Sequence, residues 1–226
     1  MMENNAWLIL IAAILYILGS VPIAYFVTRG IIRKDISVSG SRNIGAMNTY
    51  RLIRNEKSVK LGIAGFALVL IGDMGKGALA VYIAKWLSFL GYSPLPAMII
   101  GSFFVILGHN YSLFFKFRRG GRGLAPFGGV IIFLNPVSFI IGLAAFLISI
   151  FLVHYLLVGR INWRRSSEVF SIAGSQIMGR VVGLIVVLII FYFFGTQIFY
   201  PAMAGIILVL IKHIDRVKAY VGELRR

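Results

Sequence analysis

"LGIAGFALVLIGDMGKGALAVYIAK", residues 61–85, holds twenty-five residues with charge at only Asp73, Lys76 and the terminal Lys85. Runs of roughly 20 apolar residues are what a bilayer core of about 30 Å requires. The stretch therefore reads as a membrane helix with an acid and a base inside it. Three residues apart on a helix, Asp73 and Lys76 share a face and form an ion pair. Ionisable groups at membrane depth face a partner or a polar cavity. This pair reads as a neutralised structural anchor for the polar loops.

Outward from this segment, similar runs cover about 7–28, 97–115, 125–135, 136–158, 177–194 and 197–212. With 61–85 they make seven spans of an all-α polytopic membrane protein, a single integral-membrane domain over 1–226. The runs are continuous and do not alternate with polar residues, which disfavours a barrel. Residues 7–28 have no basic stretch before them and read as a first span, not a signal peptide. The fourth run is short, and Asn135-Pro136 suits a tight re-entry into the fifth. Of 226 residues 59% are hydrophobic and 13% charged, with a mean hydropathy of +0.91. A soluble domain cannot cover that much apolar surface with so few charges.

The formal net charge is +16, and 21 of the 23 Lys and Arg lie in residues 29–60, 116–122, 160–180 and 212–226. Seven spans put all four regions on one side. By the positive-inside rule that side is cytoplasmic, with the N-terminus outside and the C-terminus inside. Attraction to anionic lipids accounts for much of the loop charge. Charge spread around spans, and not along a soluble face, argues against nucleic acid as a partner. The chain has no cysteine, and His109, His154 and His213 show no ligand spacing. No metal or other cofactor is expected.

Two polar clusters lie on the basic side. In "RKDISVSGSRNIGAMNTYRLIR" (33–54), Ser39, Gly40 and Ser41 form a turn, with Asn43, Gly45 and Asn48 after it. Such a turn can nest an anion with its amides, a helix starting near Asn43 adds a favourable field, and Arg51 lies two turns along. The same residues also fit an ordinary cytoplasmic turn. In "GHNYSLFFKFRRGGRGLAPFGG" (108–129), six of 22 residues are glycine, and Arg118, Arg119 and Arg122 interleave with Gly120 and Gly121. That reads as a phosphate cradle, or else as a glycine hinge at a membrane boundary. His109 alone fits a hydrogen-bonded interfacial histidine. The tail "IKHIDRVKAYVGELRR" (211–226) adds His213, Arg216 and Lys218.

Eliminations narrow the chemistry. There is no GxxxxGK[ST] loop, no GxSxG elbow and no HxxxxD acyltransferase signature. The aspartate motif of CDP-alcohol phosphotransferases is also missing. Seven acidic residues leave few candidates for paired-carboxylate catalysis. An enzyme built from these residues works by binding and orienting phosphates. That suffices when the leaving group is already activated.

The order of GSRNIGAMNTYR, GDMGKGALAV, the GHNYSLFFKF glycine loop and a His-containing basic tail resembles the PlsY family. These are integral-membrane glycerol-3-phosphate acyltransferases that take the acyl group from acyl phosphate. "LGSVPIAYFV" (18–27) is similar to the family's first span, and the resemblance covers nearly the whole chain. It implies transfer of a fatty acyl group to the 1-hydroxyl of glycerol 3-phosphate, giving lysophosphatidate and phosphate at the cytoplasmic face of the cell membrane. It also implies that substrate phosphate, and no side-chain base, helps deprotonate the hydroxyl. Ser41 and Arg51 would bind phosphate, Arg119 or Arg122 would stand in for lysines of the glycine loop, and His213 would complete the pocket. Asn43 and Asn48 would shape the first loop. His109, Gly120, Gly121 and Arg216 fall in the matching motifs.

The chain departs from the family pattern at several places. Arg42 stands for a glycine, Met47 for a threonine, Pro126 for a threonine, Ile214 for an arginine and Arg216 for an asparagine, with one extra residue after His109. Arginine forks differently from lysine, so Arg119 and Arg122 are not neutral exchanges. Two other readings stand beside the acyl-phosphate enzyme. One is a non-catalytic or transporting protein that binds anionic lipid or organic phosphate, and the other is an acyl-CoA-dependent transferase.

Overall fold

The computed structural model describes residues 2–86, 93–162 and 166–224, and every regular element among them is helical. In chain order these are α1 (Met2–Ser20), α2 (Ile23–Ile32), α3 (Ala46–Glu56), α4 (Val59–Trp86), α5 (Pro94–Asn110), α6 (Leu124–Leu134), α7 (Pro136–Val158), α8 (Ser166–Ser175), α9 (Ile177–Tyr192), α10 (Thr196–Ile211) and α11 (Ile214–Leu224). Arg164, Arg165, Arg225 and Arg226, counted above as cytoplasmic charge, lie outside the described residues.

Each of the seven apolar runs is largely helical, but the helix lengths differ from the expected set. Residues 8–32, 59–86, 94–115 and 136–158 are individually long and apolar enough to cross a membrane. The first of these is broken at Val21-Pro22, where proline has no N–H to continue the ladder; the Pro22 carbonyl restarts it by accepting from Tyr25 N. Helices α8 and α9 reach spanning length only as a pair bent by 68°, and α10 with α11 as a pair bent by 42°. Helix α6 has eleven residues, about 16 Å, roughly half of a bilayer core. The run 125–135 thus holds less helix than any other of the seven runs. At the turn into α7, Asn135 caps the new helix by accepting from Ser138 N at 2.9 Å, and Pro136 occupies its first position. Residues 166–175 and 214–224, which fall outside the seven apolar runs, are the helices α8 and α11.

The core runs through α1, α4, α5, α6, α9 and α10, with Leu15, Val81, Val105, Val130, Leu184 and Ile206 buried. Helices α4 and α6 meet backbone to backbone. A Cβ on Gly77 would lie 2.0 Å from the Pro126 carbonyl oxygen, and one on Gly129 would lie 1.8 Å from that of Met74. Small residues permit such approach where apolar lipid gives helices little reason to associate. The outer surface carries large apolar side chains, among them Ile71, Leu156 and Phe193, each at least 70% exposed. A bilayer is the solvent that such a surface suits.

Candidate functional site

The loop before α3 is organised by one amide. Asn48, buried on the first turns of α3, accepts from Ser41 N at 3.1 Å and donates to the carbonyls of Ser39 at 3.1 Å and Asn43 at 3.0 Å. Gly40 has φ +58°, and a Cβ there would strike Asn48 Oδ1 at 2.4 Å. That left-handed turn is open to glycine at little cost. Arg42 also has a positive φ, 57°, so its backbone takes a conformation that an L side chain adopts at some cost. The opening of α3 at Gly45, Ala46 and Met47 faces the cavity described below, and it has no side-chain cap. Asn48→Ala leaves three backbone groups unmatched. We expect affinity for a phosphate monoester, measured by calorimetry, to fall roughly 10- to 100-fold at about 1 kcal/mol per bond.

The glycine loop folds onto this first loop. Arg119 donates to the Ser37 carbonyl at 2.7 Å and to Ser37 Oγ at 3.4 Å, and Ile44 N donates to the Gly120 carbonyl at 3.2 Å. Gly121 N donates to the His109 carbonyl at 2.8 Å. A Cβ on Gly121 would sit 1.9 Å from His109 Nε2, so the glycine makes room for the buried imidazole. Beneath the loop, Lys76 pairs with Asp73 at 2.9 Å, and His109 Nδ1 lies 3.6 Å from the same carboxylate. Lys76 also donates to the carbonyls of Gly19 at 2.9 Å and Val21 at 3.0 Å, at the break between α1 and α2.

These elements enclose a cavity of about 390 Å³. Its polar part, the mouth, is formed by Ser41, Asn43, Asn48, Arg51, Arg122, Arg180 and Arg216, whose guanidiniums lie close enough to repel one another, and His109 and Asp73 also line the cavity. Its interior is apolar, lined by Phe66 and Leu70 of α4, Phe127 and Ile131 of α6, and further side chains of α7 and α9. Burial, followed by repulsion from Arg216, Arg180 and Arg51, lowers the Arg122 pKa to about 9. The guanidinium keeps its charge at neutral pH in an unfavourable field, which an anion would relieve.

Of the residues singled out in the sequence, Ser41, Asn43, Asn48, Arg51, His109, Arg122, Arg216 and Asp73 therefore come together on the cavity wall. Arg119, Gly120, Gly121, Lys76 and His213 are not among its lining residues. Arg119, Gly120 and Gly121 instead bind or shape the neighbouring loops, as above. His213 is buried and donates through Nδ1 to the Val209 carbonyl at 2.8 Å. Arg180, which the sequence presents only as one more loop charge, also lines the cavity. It stands one turn into α9, donates through Nη2 to the Ala173 carbonyl at 2.7 Å, and has a buried Nε without a protein partner. An arginine inside an apolar run was the available signal.

Known proteins are similar to this chain in sequence and in fold. The family described as glycerol-3-phosphate acyltransferase matches residues 9–222. A glycerol-3-phosphate acyltransferase of Carboxydothermus hydrogenoformans is 42% identical over 146 residues, 63% of this chain and 67% of that protein. One from Dehalococcoides mccartyi is 38% identical over 122 residues, 54% of this chain and 53% of the relative. With one from Clostridioides difficile the identity is 31% over 185 residues, covering 81% and 86%. The alignments thus span from about half to most of these relatives. Crystal structures of PlsY, an integral membrane glycerol 3-phosphate acyltransferase, share the fold. The glycerol 3-phosphate form superposes with a TM-score of 0.64 at 17% identity, covering 96% of this chain and 92% of that one. The lysophosphatidic acid form gives 0.64 at 21% identity with the same coverage.

Proposed function

The chain belongs to the glycerol-3-phosphate acyltransferase family, and from that premise we propose that it moves a fatty acyl group from acyl phosphate to the 1-hydroxyl of glycerol 3-phosphate, releasing lysophosphatidate and inorganic phosphate for phospholipid synthesis. The observation that carries this reading is the form of the cavity. Four guanidiniums, those of Arg51, Arg122, Arg180 and Arg216, line it close enough together to repel one another, and most of its remaining lining is apolar. A phosphate head with a long alkyl tail matches that division, and so does a second phosphate beside the first.

The step needs little from a side-chain base. The acceptor hydroxyl attacks the acyl carbonyl carbon, the bond from that carbon to the phosphate oxygen breaks, and the departing phosphate takes the hydroxyl's proton. Ser41, the open end of α3 and the arginines hold the two phosphates and bring hydroxyl and carbonyl together. Asp73 is the one carboxylate among the described lining residues, and its pairing with Lys76 fits it to structure more than to proton transfer. The test is a change of donor in proteoliposomes. Lysophosphatidate formed from palmitoyl phosphate and not from palmitoyl-CoA supports the reading. The reverse preference assigns the acyl-CoA-dependent reaction.

We also assign the mouth and the tail to the cytoplasmic side of the cell membrane, with the N-terminus outside. The support is the gathering of 21 of 23 basic residues into four loop and tail regions. The chain has no cysteine of its own, so single cysteines report without background. We expect Lys57→Cys and Lys218→Cys to react with a membrane-impermeant maleimide in inside-out vesicles only. Labelling in right-side-out vesicles would reverse the assignment.

A further inference from the structure

We infer that Phe191, seated on Gly142, is the floor of the cavity and sets the length of the acyl chain the enzyme accepts. The inference rests on the acyl-transfer reading and adds its specificity determinant. Arg180, Leu184, Val187 and Phe191 recur at helical spacing on one face of α9, and all four line the cavity. The face therefore runs from a guanidinium to an aromatic ring over eleven residues, about 16 Å.

The ring is fixed in place. Phe191 is 1% exposed, and a Cβ added to Gly142 of α7 would lie 2.6 Å from its Cζ. Phe194 meets it edge to face at 6.4 Å between centroids. With the phosphate end held by the arginines, chain length is measured from a fixed point to a fixed wall. Lipid is as apolar as the cavity, so an extra methylene gains little by leaving the bilayer. Discrimination then comes from exclusion. A chain too long by a methylene or two must displace Phe191, and overpacking of that size is worth roughly 5- to 150-fold in kcat/KM.

The experiment measures kcat/KM for acyl phosphates from octanoyl to stearoyl with wild type, Phe191→Ala, the conservative Phe191→Leu, and Gly142→Ala. Alkyl phosphates of the same lengths, which carry no transferable acyl group, are titrated in parallel by calorimetry. Phe191→Ala and Phe191→Leu are expected to move the optimum to longer chains, and Gly142→Ala to shorter ones, because its new methyl pushes the ring into the cavity. Identical length profiles in wild type and all three folded variants would overturn the inference. Absence of turnover in wild type would count against acyl transfer alone, since the alkyl phosphate profile still reads the floor.

Discussion

Arg51→Ala lowers kcat/KM for glycerol 3-phosphate by about 100-fold or more, with thermal stability close to wild type. The side chain stands on α3 at the cavity mouth and is only partly buried. A charge-assisted bond to phosphate is worth about 1.5–3 kcal/mol, and a guanidinium makes two in its forked geometry. Arg51→Lys recovers part of the loss, because charge remains while the fork does not. Steady-state kinetics on the three proteins checks this. Near-wild-type turnover by Arg51→Ala would remove α3 from substrate binding.

Lys76→Met has the largest expected effect on stability. It leaves the Asp73 carboxylate, 2% exposed, without its cation in the middle of the helix bundle. It also releases the carbonyls of Gly19 and Val21 from their shared donor. Breaking a buried pair by removing one partner costs about 3–5 kcal/mol, which lowers Tm in detergent by roughly 6–20 °C for a chain of this size. The double variant Asp73→Asn/Lys76→Met removes both charges and recovers much of that loss. A single variant as stable as wild type would show that the pair holds nothing in place.

Much of this architecture is legible in the sequence because lipid leaves the backbone few choices. Long apolar runs such as 61–85 and 136–158 become helices whatever their neighbours do. The first loop is legible for a local reason: Gly40 permits the turn, and Asn48 lies close enough in sequence to tie it. Other features depend on tertiary packing. Residues 166–175 form α8 beside the aromatic side chains of Tyr50 and Phe66, against which Phe170 packs, and nothing within the segment announces this. Arg119 and Arg122 are three residues apart in one glycine-rich loop and look equivalent. The fold turns Arg119 to the Ser37 carbonyl and leaves Arg122 at the cavity. The pairing of Phe191 with Gly142 joins positions 49 residues apart, which periodicity on either helix does not reveal. Arg42 is a different case, since its left-handed backbone shows why a glycine suits that position in the family motif.

The proposed reaction is acyl transfer in a cavity lined by four arginines. Its most direct test incubates the purified protein with palmitoyl phosphate and labelled glycerol 3-phosphate, following the label by mass. Acyl transfer yields labelled lysophosphatidate, with one inorganic phosphate released per product and strong loss in Ser41→Ala. A folded protein that binds glycerol 3-phosphate and leaves palmitoyl phosphate intact would contradict it.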